Sequence, residues 1–203
     1  MTEEIIAWLI QNWIEVLGFV FGILYVITSV KQNILTWLFC LLTAILYIYV
    51  FFDSKFYAGM TLQFYYVFVS AYGWITWSKG TKSKEEEEEE ELKVSNLKKH
   101  QYFYLVPISL VLWGIIFFIL QQFTDSPVVL GDSFMTAFSI VGTWMVAKKN
   151  LECWIVWIAV NFVSVIIYFS RDLYPTAILY LIYLGSAVWG YFEWKKELKK
   201  INA

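Results

Sequence analysis

Seven stretches of this chain, at about 14–30, 35–52, 56–77, 102–120, 133–147, 151–170 and 174–194, contain no lysine or arginine and consist mainly of aliphatic and aromatic residues and Met. A helix needs roughly 20 such residues to cross the hydrocarbon core of a bilayer. Inside that core each backbone amide must be satisfied within the protein, which leaves helices or closed barrels as spanning structures. Runs of this length predict an all-α integral membrane protein with seven transmembrane helices. Hydrophobic residues make up 60% of the 203 and charged residues only 16%. A soluble globule of that size has too little interior to hide so many aromatic rings.

The charges check the span count. With seven crossings the termini lie on opposite sides and the connections alternate. Thirteen of the fifteen basic residues then fall on the side of the C-terminus, from Lys31 through Lys79, Lys148 and Lys149 to Lys200, and only Lys55 and Arg171 fall opposite. Lysine and arginine accumulate on the cytoplasmic face, so the C-terminus is expected inside and the N-terminus outside. The net charge of -2 is dominated by one run, Glu85 to Glu91. Seven like charges repel and stay solvated, which reads as a cytoplasmic linker. Residues 1–12 read as a short amphipathic lead lying in the interface, with Trp8 and Trp13 at headgroup level. That start carries no positive n-region, so a cleaved signal peptide is not expected. Cys40 and Cys153 have no CxxC or histidine partner and read as small packing residues.

The chain also repeats itself. Displaced by 117 residues without a gap, Lys31 meets Lys148, Asn33 meets Asn150 and Trp37 meets Trp154. The register continues through Phe52 and Phe169, Tyr57 and Tyr174, Leu62 and Leu179, Tyr66 and Tyr183, Gly73 and Gly190, and Trp77 and Trp194. Span four lies between the copies and carries the chain back across, so both copies begin on the same side. The expected architecture is two parallel three-helix repeats joined by a linker helix, a 3+1+3 arrangement. Its parts are an N-terminal repeat over 1–77, a charged linker and fourth span over 78–121, and a C-terminal repeat with a basic tail over 122–203. Repeats of this kind are used by transporters, whose substrate sites lie near the midplane at the repeat interface.

Several chemistries find no residues. Glu15, Asp132 and Glu152 lie at or near span ends, and His100, the single histidine, is in a connection. A proton-coupled carrier needs a titratable group at depth, so uncoupled facilitated diffusion is expected; a sodium site of backbone carbonyls stays open. HExxH, GxSxG and P-loop patterns are missing, and no enzyme, cofactor or metal site is expected. No basic patch interleaves with aromatics in the way nucleic-acid binding requires.

What remains at depth is aromatic and neutral-polar. In span six, Trp154, Trp157, Asn161, Ser164 and Tyr168 recur at intervals of 3, 4, 3 and 4 and share one helical face. Span three carries Gln63, Tyr66, Ser70, Gly73 and Trp77 in the same way, and span seven carries Tyr180, Tyr183, Ala187, Gly190 and Trp194. Asn161 and Gln63 are costly in lipid and should face the bundle or a polar cavity. Two roles compete for them: hydrogen-bond glue between helices or substrate recognition. Trp13, Trp37, Trp77, Trp154 and Trp194, near span ends, read as interface belt. Trp157 lies about a turn deeper, on the face of Asn161, and there a binding role is favoured. Such a cavity suits a flat, hydroxylated molecule that is neutral or singly cationic. With no lysine or arginine at depth, phosphate-bearing substrates are disfavoured.

The segment Glu152-Cys-Trp154-Ile-Val-Trp157-Ile-Ala-Val-Asn161, after Lys148-Lys149-Asn150, resembles the signature helix of the PnuC-type nicotinamide riboside transporters. The span-three ending Tyr72-Gly73-Trp74-Ile-Thr-Trp77 is similar to theirs as well, and the resemblance extends over nearly the whole chain. It implies a bacterial inner-membrane protein, related in architecture to the SWEET sugar facilitators. Such a protein imports nicotinamide riboside, an NAD precursor, by facilitated diffusion, and cytoplasmic phosphorylation traps the product. Carried over by position, Trp157 and Asn161, with Trp154, are the expected substrate residues, joined by Gln63, Tyr66 and Tyr183 from the repeat-related faces. The resemblance also implies a homo-oligomer, a trimer. Sister groups carry thiamin or riboflavin. A SWEET-like sugar facilitator and a non-transporting membrane receptor or scaffold are the other readings. The acidic run belongs to no pattern of the family.

Overall fold

The structure, a computed structural model, describes residues 10, 13–53, 57–79, 81–82, 89–90, 92–124, 128–170 and 174–201. All of the expected interfacial lead over 1–12 except Ile10, and most of the Glu85–Glu91 run, lie outside the described residues. Among the described residues the fold is all-helical apart from one two-residue strand pair. The helices are α1 (Trp13–Val30), α2 (Leu35–Asp53), α3 (Tyr57–Lys79), α4 (Lys99–Phe123), α5 (Val129–Ala147), α6 (Cys153–Ser170) and α7 (Tyr174–Ile201). Strands β1 (Thr81–Lys82) and β2 (Glu89–Glu90) pair antiparallel between α3 and α4. Each helix contains most or all of one apolar stretch of the sequence, and α7 runs past its stretch through the basic tail to Ile201. By length and composition α4, α5 and α6 are apolar enough to cross a membrane, and Val16–Val30 and Leu35–Val50 are shorter apolar helical segments.

The side chains are arranged as a lipid solvent requires. Phe68 and Phe103 are 74% and 84% exposed, a position that costs nothing in hydrocarbon and is unfavourable in water. Many of the hydroxyls within the helices are satisfied locally, although those of Thr36 and Thr43 are buried with no hydrogen-bond partner among the described residues. Thr28, Ser70, Thr76, Ser109, Thr143 and Ser164 each donate to the carbonyl four residues earlier, at 2.6–2.8 Å. This back-bonding lets a serine or threonine sit at depth without a water partner.

The chain divides into two compact units, Met1–Ser78 and Lys79–Ala203. In the first, α1 packs on α2, and the turn between them is a Schellman motif. Asn33 N–H donates to Thr28 O at 2.9 Å and Gln32 N–H to Ser29 O at 3.1 Å, with Gln32 left-handed at φ 53°. Asn33 Oδ1 then accepts from Leu35 N–H at 2.9 Å and caps α2. One turn on, Trp37 is buried against Trp77 of α3, centroids 5.4 Å apart and planes at 86°. A Cβ on Gly73 would run into the Trp37 ring, so only glycine lets α3 approach the indole so closely.

In the second unit α4 packs on α5, α5 on α6, and α6 on α7. The turn before α6 has the same construction as the turn before α2, at positions displaced by 117. Asn150 N–H donates to Met145 O at 3.0 Å and Lys149 N–H to Val146 O at 2.9 Å, with Lys149 at φ 51°. Trp154 is buried against Trp194, centroids 5.3 Å apart and planes at 90°, and a Cβ on Gly190 would stand 2.6 Å from it. The four tryptophans 37, 77, 154 and 194 are therefore interior packing residues. The interfacial belt expected from their places near span ends is corrected at these positions; Trp13 is exposed. Their slots are made by small residues opposite, Gly73 and Gly190, which position along a span does not reveal. Cys40 and Cys153 are buried free thiols.

The second unit has one addition. Residues 92–98 run extended along the turn before α6, with Val94 buried. Ser95 N–H donates to Lys149 O at 3.1 Å, Leu151 N–H to Ser95 O at 2.9 Å, and Asn150 Nδ2 to Ser95 Oγ at 3.3 Å. Leu97 N–H donates to the Glu152 carboxylate at 3.0 Å. This strap fastens the N-terminal end of α4 to the start of α6.

Candidate substrate-binding face

Helix α6 has two unlike faces. Ile155, Phe162, Ile166 and Phe169 are exposed, whereas Trp154, Asn161 and Ser164 are buried and Trp157 and Tyr168 half-buried. The polar-aromatic stripe therefore points into the protein and the aliphatic stripe outward, as a 3.6-residue period requires. The members of the stripe do different work.

Ser164 is fully engaged. Its hydroxyl lies 2.8 Å from Val160 O and 2.8 Å from Met135 Sδ of α5. Trp154 is locked against Trp194, and its indole nitrogen is buried without a hydrogen-bond partner among the described residues. Trp157 rests on α5, its ring edge at ordinary contact distance (3.4 Å) from where a Gly142 Cβ would stand. Asn161 is only 4% exposed, and its amide makes no side-chain hydrogen bond among the described residues. An amide contact of the glue type would satisfy it; an unmet buried amide costs about 1–3 kcal/mol. Two residues below Trp157 and Asn161 extend the aromatic lining: Tyr168 stacks on Tyr180 of α7 at 5.1 Å, and Tyr180 meets Tyr183 edge-on at 5.8 Å.

The first unit offers a smaller polar-aromatic patch on α3. Gln63 is buried and its amide, like that of Asn161, makes no side-chain hydrogen bond among the described residues. One turn on, Tyr66 lies against Tyr65 with centroids 5.8 Å apart, and its carbonyl accepts from Ser70 Oγ at 2.6 Å.

Of the six residues singled out from the sequence, Trp157 and Asn161 share the inward face of α6, and Trp154 lies there in a closed aromatic slot. Tyr183 continues the tyrosine series on α7, while Gln63 and Tyr66 lie together on α3. Sequence reasoning passed over Tyr168 and Tyr180 as lining residues, although both stand on the stripes it identified. It also passed over Gly142, the support of Trp157, for which a lone glycine in an apolar helix gave no signal. Among the described residues no group of three or more His, Cys, Asp or Glu side chains could hold a metal ion.

Comparison with known proteins gives the family. The chain is 25% identical to the nicotinamide riboside transporter PnuC of Escherichia coli over 90% of its own length and 85% of that protein's. It is 29% identical to the PnuC of Neisseria mucosa over 94% of its length and 74% of that protein's. Its fold superposes on a crystal structure of the vitamin B3 transporter PnuC with a TM-score of 0.75 at 28% identity, covering 98% of this chain and 87% of the other. The model of the nicotinamide mononucleotide transporter family matches residues 12–196. This chain is a member of that family of membrane transporters.

Proposed function

We propose that the protein imports nicotinamide riboside across the bacterial inner membrane by uncoupled facilitated diffusion, with cytoplasmic phosphorylation of the product keeping net flux inward. The observation that carries the choice of ligand is the buried side chain of Asn161, whose amide makes no side-chain hydrogen bond among the described residues, on the same face as Trp157, in a chain whose relatives are nicotinamide riboside transporters. An indole face attracts a flat pyridinium, and an amide can pair with a carboxamide or ribose hydroxyl. Trp157 and Asn161 are the principal contacts, with Trp154 and Tyr183 behind them and Gln63 and Tyr66 as candidates on α3. The family's name mentions the mononucleotide. The seven spans contain no lysine or arginine to meet a phosphate dianion, which favours the nucleoside.

The architecture we propose is seven crossings in a 3+1+3 plan, with repeats over 1–77 and 122–203 and a linker over 78–121. The paired Schellman turns and Trp–Gly–Trp slots at a spacing of 117 support it. The N-terminus is outside and the basic C-terminus cytoplasmic, and the protein assembles as a homotrimer in lipid.

Calorimetric titration of the detergent-purified protein tests the ligand. Riboside should bind, and the mononucleotide, thiamin, riboflavin and glucose should not. Asn161→Leu should weaken riboside binding about tenfold, the loss of one or two hydrogen bonds, and leave the thermal midpoint no lower. Transport by Asn161→Leu at the wild-type rate would remove Asn161 from the site. Thiamin or riboflavin binding in place of riboside would keep the mechanism and change the vitamin.

A further inference from the structure

The turn before α6 carries a carboxylate that its counterpart before α2 does not have. Glu152 corresponds in register to Leu35, which is exposed. The Leu97 N–H is shared between the two Glu152 oxygens at 3.0 and 3.1 Å, and the Tyr102 hydroxyl donates to Oε1 at 3.2 Å. All of these donors are neutral. Among the described residues no lysine, arginine or histidine forms an ion pair with Glu152. A carboxylate offers about four lone-pair positions, so Glu152 is held in place by neutral donors with acceptor capacity to spare.

Glu152 and Tyr102 stand at one end of a groove of about 260 Å³ between α4, α5 and α6. Beyond them the walls are apolar: Leu105, Val106, Leu110, Phe138, Val141 and Ile155. The hydroxyl of Ser109, also in the lining, is turned away, donating to Leu105 O at 2.8 Å. Val106, Leu110 and Ile155 are themselves exposed, so the groove opens outward from the helices. Such walls offer water no partners, and hydrocarbon is what fills them in a membrane. The occupant must combine an apolar chain with a cationic head. The head must also donate hydrogen bonds, which an ammonium with three N–H groups does and a quaternary ammonium does not. Lys98 and Lys99, exposed directly after Leu97, supply positive charge for a phosphate beside that ammonium.

We infer that this groove binds a phospholipid with a primary-ammonium headgroup of the ethanolamine type, its acyl chain between α4, α5 and α6 and its ammonium on Glu152. The inference rests on the membrane-spanning reading of these helices and on the cytoplasmic-interface position of residues 148–152, and is independent of which solute is carried.

The test uses the full chain reconstituted in bilayers of chain-matched phosphatidylethanolamine, phosphatidylcholine and phosphatidylglycerol. Lipids retained after detergent extraction are counted by native mass spectrometry. The wild type should retain ethanolamine over choline lipid by roughly tenfold, the ratio expected for one charge-assisted hydrogen bond. Glu152→Gln should bring the two to parity. Val156→Phe, which narrows the groove and leaves Glu152 and its donors in place, should lower retention of ethanolamine lipid. Equal retention of both lipids by the wild type, or a preference that survives Glu152→Gln and Val156→Phe, overturns the assignment. Riboside uptake measured in the same bilayers separates the two readings: absent uptake with intact lipid preference counts against the proposed cargo alone.

Discussion

Gln32 and Lys149 hold left-handed backbone angles that glycine ordinarily occupies. A non-glycine residue there costs about 1–2 kcal/mol. Gln32→Gly should therefore raise thermal stability by up to about 1 kcal/mol, discounted for the greater freedom glycine gains in the unfolded chain; a lower midpoint in thermal unfolding would contradict this. The strain is invisible in the sequence, because neither residue is a usual helix terminator. Asn161 was legible for the opposite reason. Its spacing from Trp154, Trp157 and Ser164 places it on one helical face whatever the neighbours are. What spacing could not tell was which stripe members are already satisfied: Ser164 meets Val160 O and Met135 Sδ, whereas the amide of Asn161 makes no side-chain hydrogen bond among the described residues.

At the scale of elements, the seven helices follow directly from the apolar runs, because helix length in lipid is set by bilayer thickness and by the need to satisfy each amide. Their mutual packing was less legible. Tryptophans near span ends usually mark the interface, yet Trp37 and Trp154 are buried because Gly73 and Gly190 open slots for them. Gly73→Ala and Gly190→Ala should each destabilise the protein by about 1–3 kcal/mol through overpacking, and by similar amounts since the slots are alike. Differential thermal unfolding in detergent would measure both. Indifference to either substitution would mean the indole yields easily, and the slot is looser than its geometry. The strap over 92–98 was not legible at all: pairing of Ser95 with residue 150 joins segments distant in sequence and leaves no periodic trace.

For the whole molecule, the charge asymmetry of the connections makes a strong prediction. Thirteen of fifteen basic residues lie on one side if the chain crosses seven times, and the energetic bias for cytoplasmic lysine and arginine is cumulative. A fluorescent protein fused after residue 203 should fluoresce in cells, and a single cysteine introduced at Lys55 should react with a membrane-impermeant thiol reagent from outside. A dark C-terminal fusion with an unreactive position 55 would invert the topology and with it the expected side of substrate entry.

The two perpendicular indole pairs, one in each unit, have an optical consequence. Rings 5.3–5.4 Å apart are close enough for their electronic transitions to couple, and such coupling in a fixed geometry is circularly dichroic. Each half of the protein thus carries its own chromophore pair, set in a glycine slot and sealed from solvent, so that ultraviolet light alone can report whether either half has come apart.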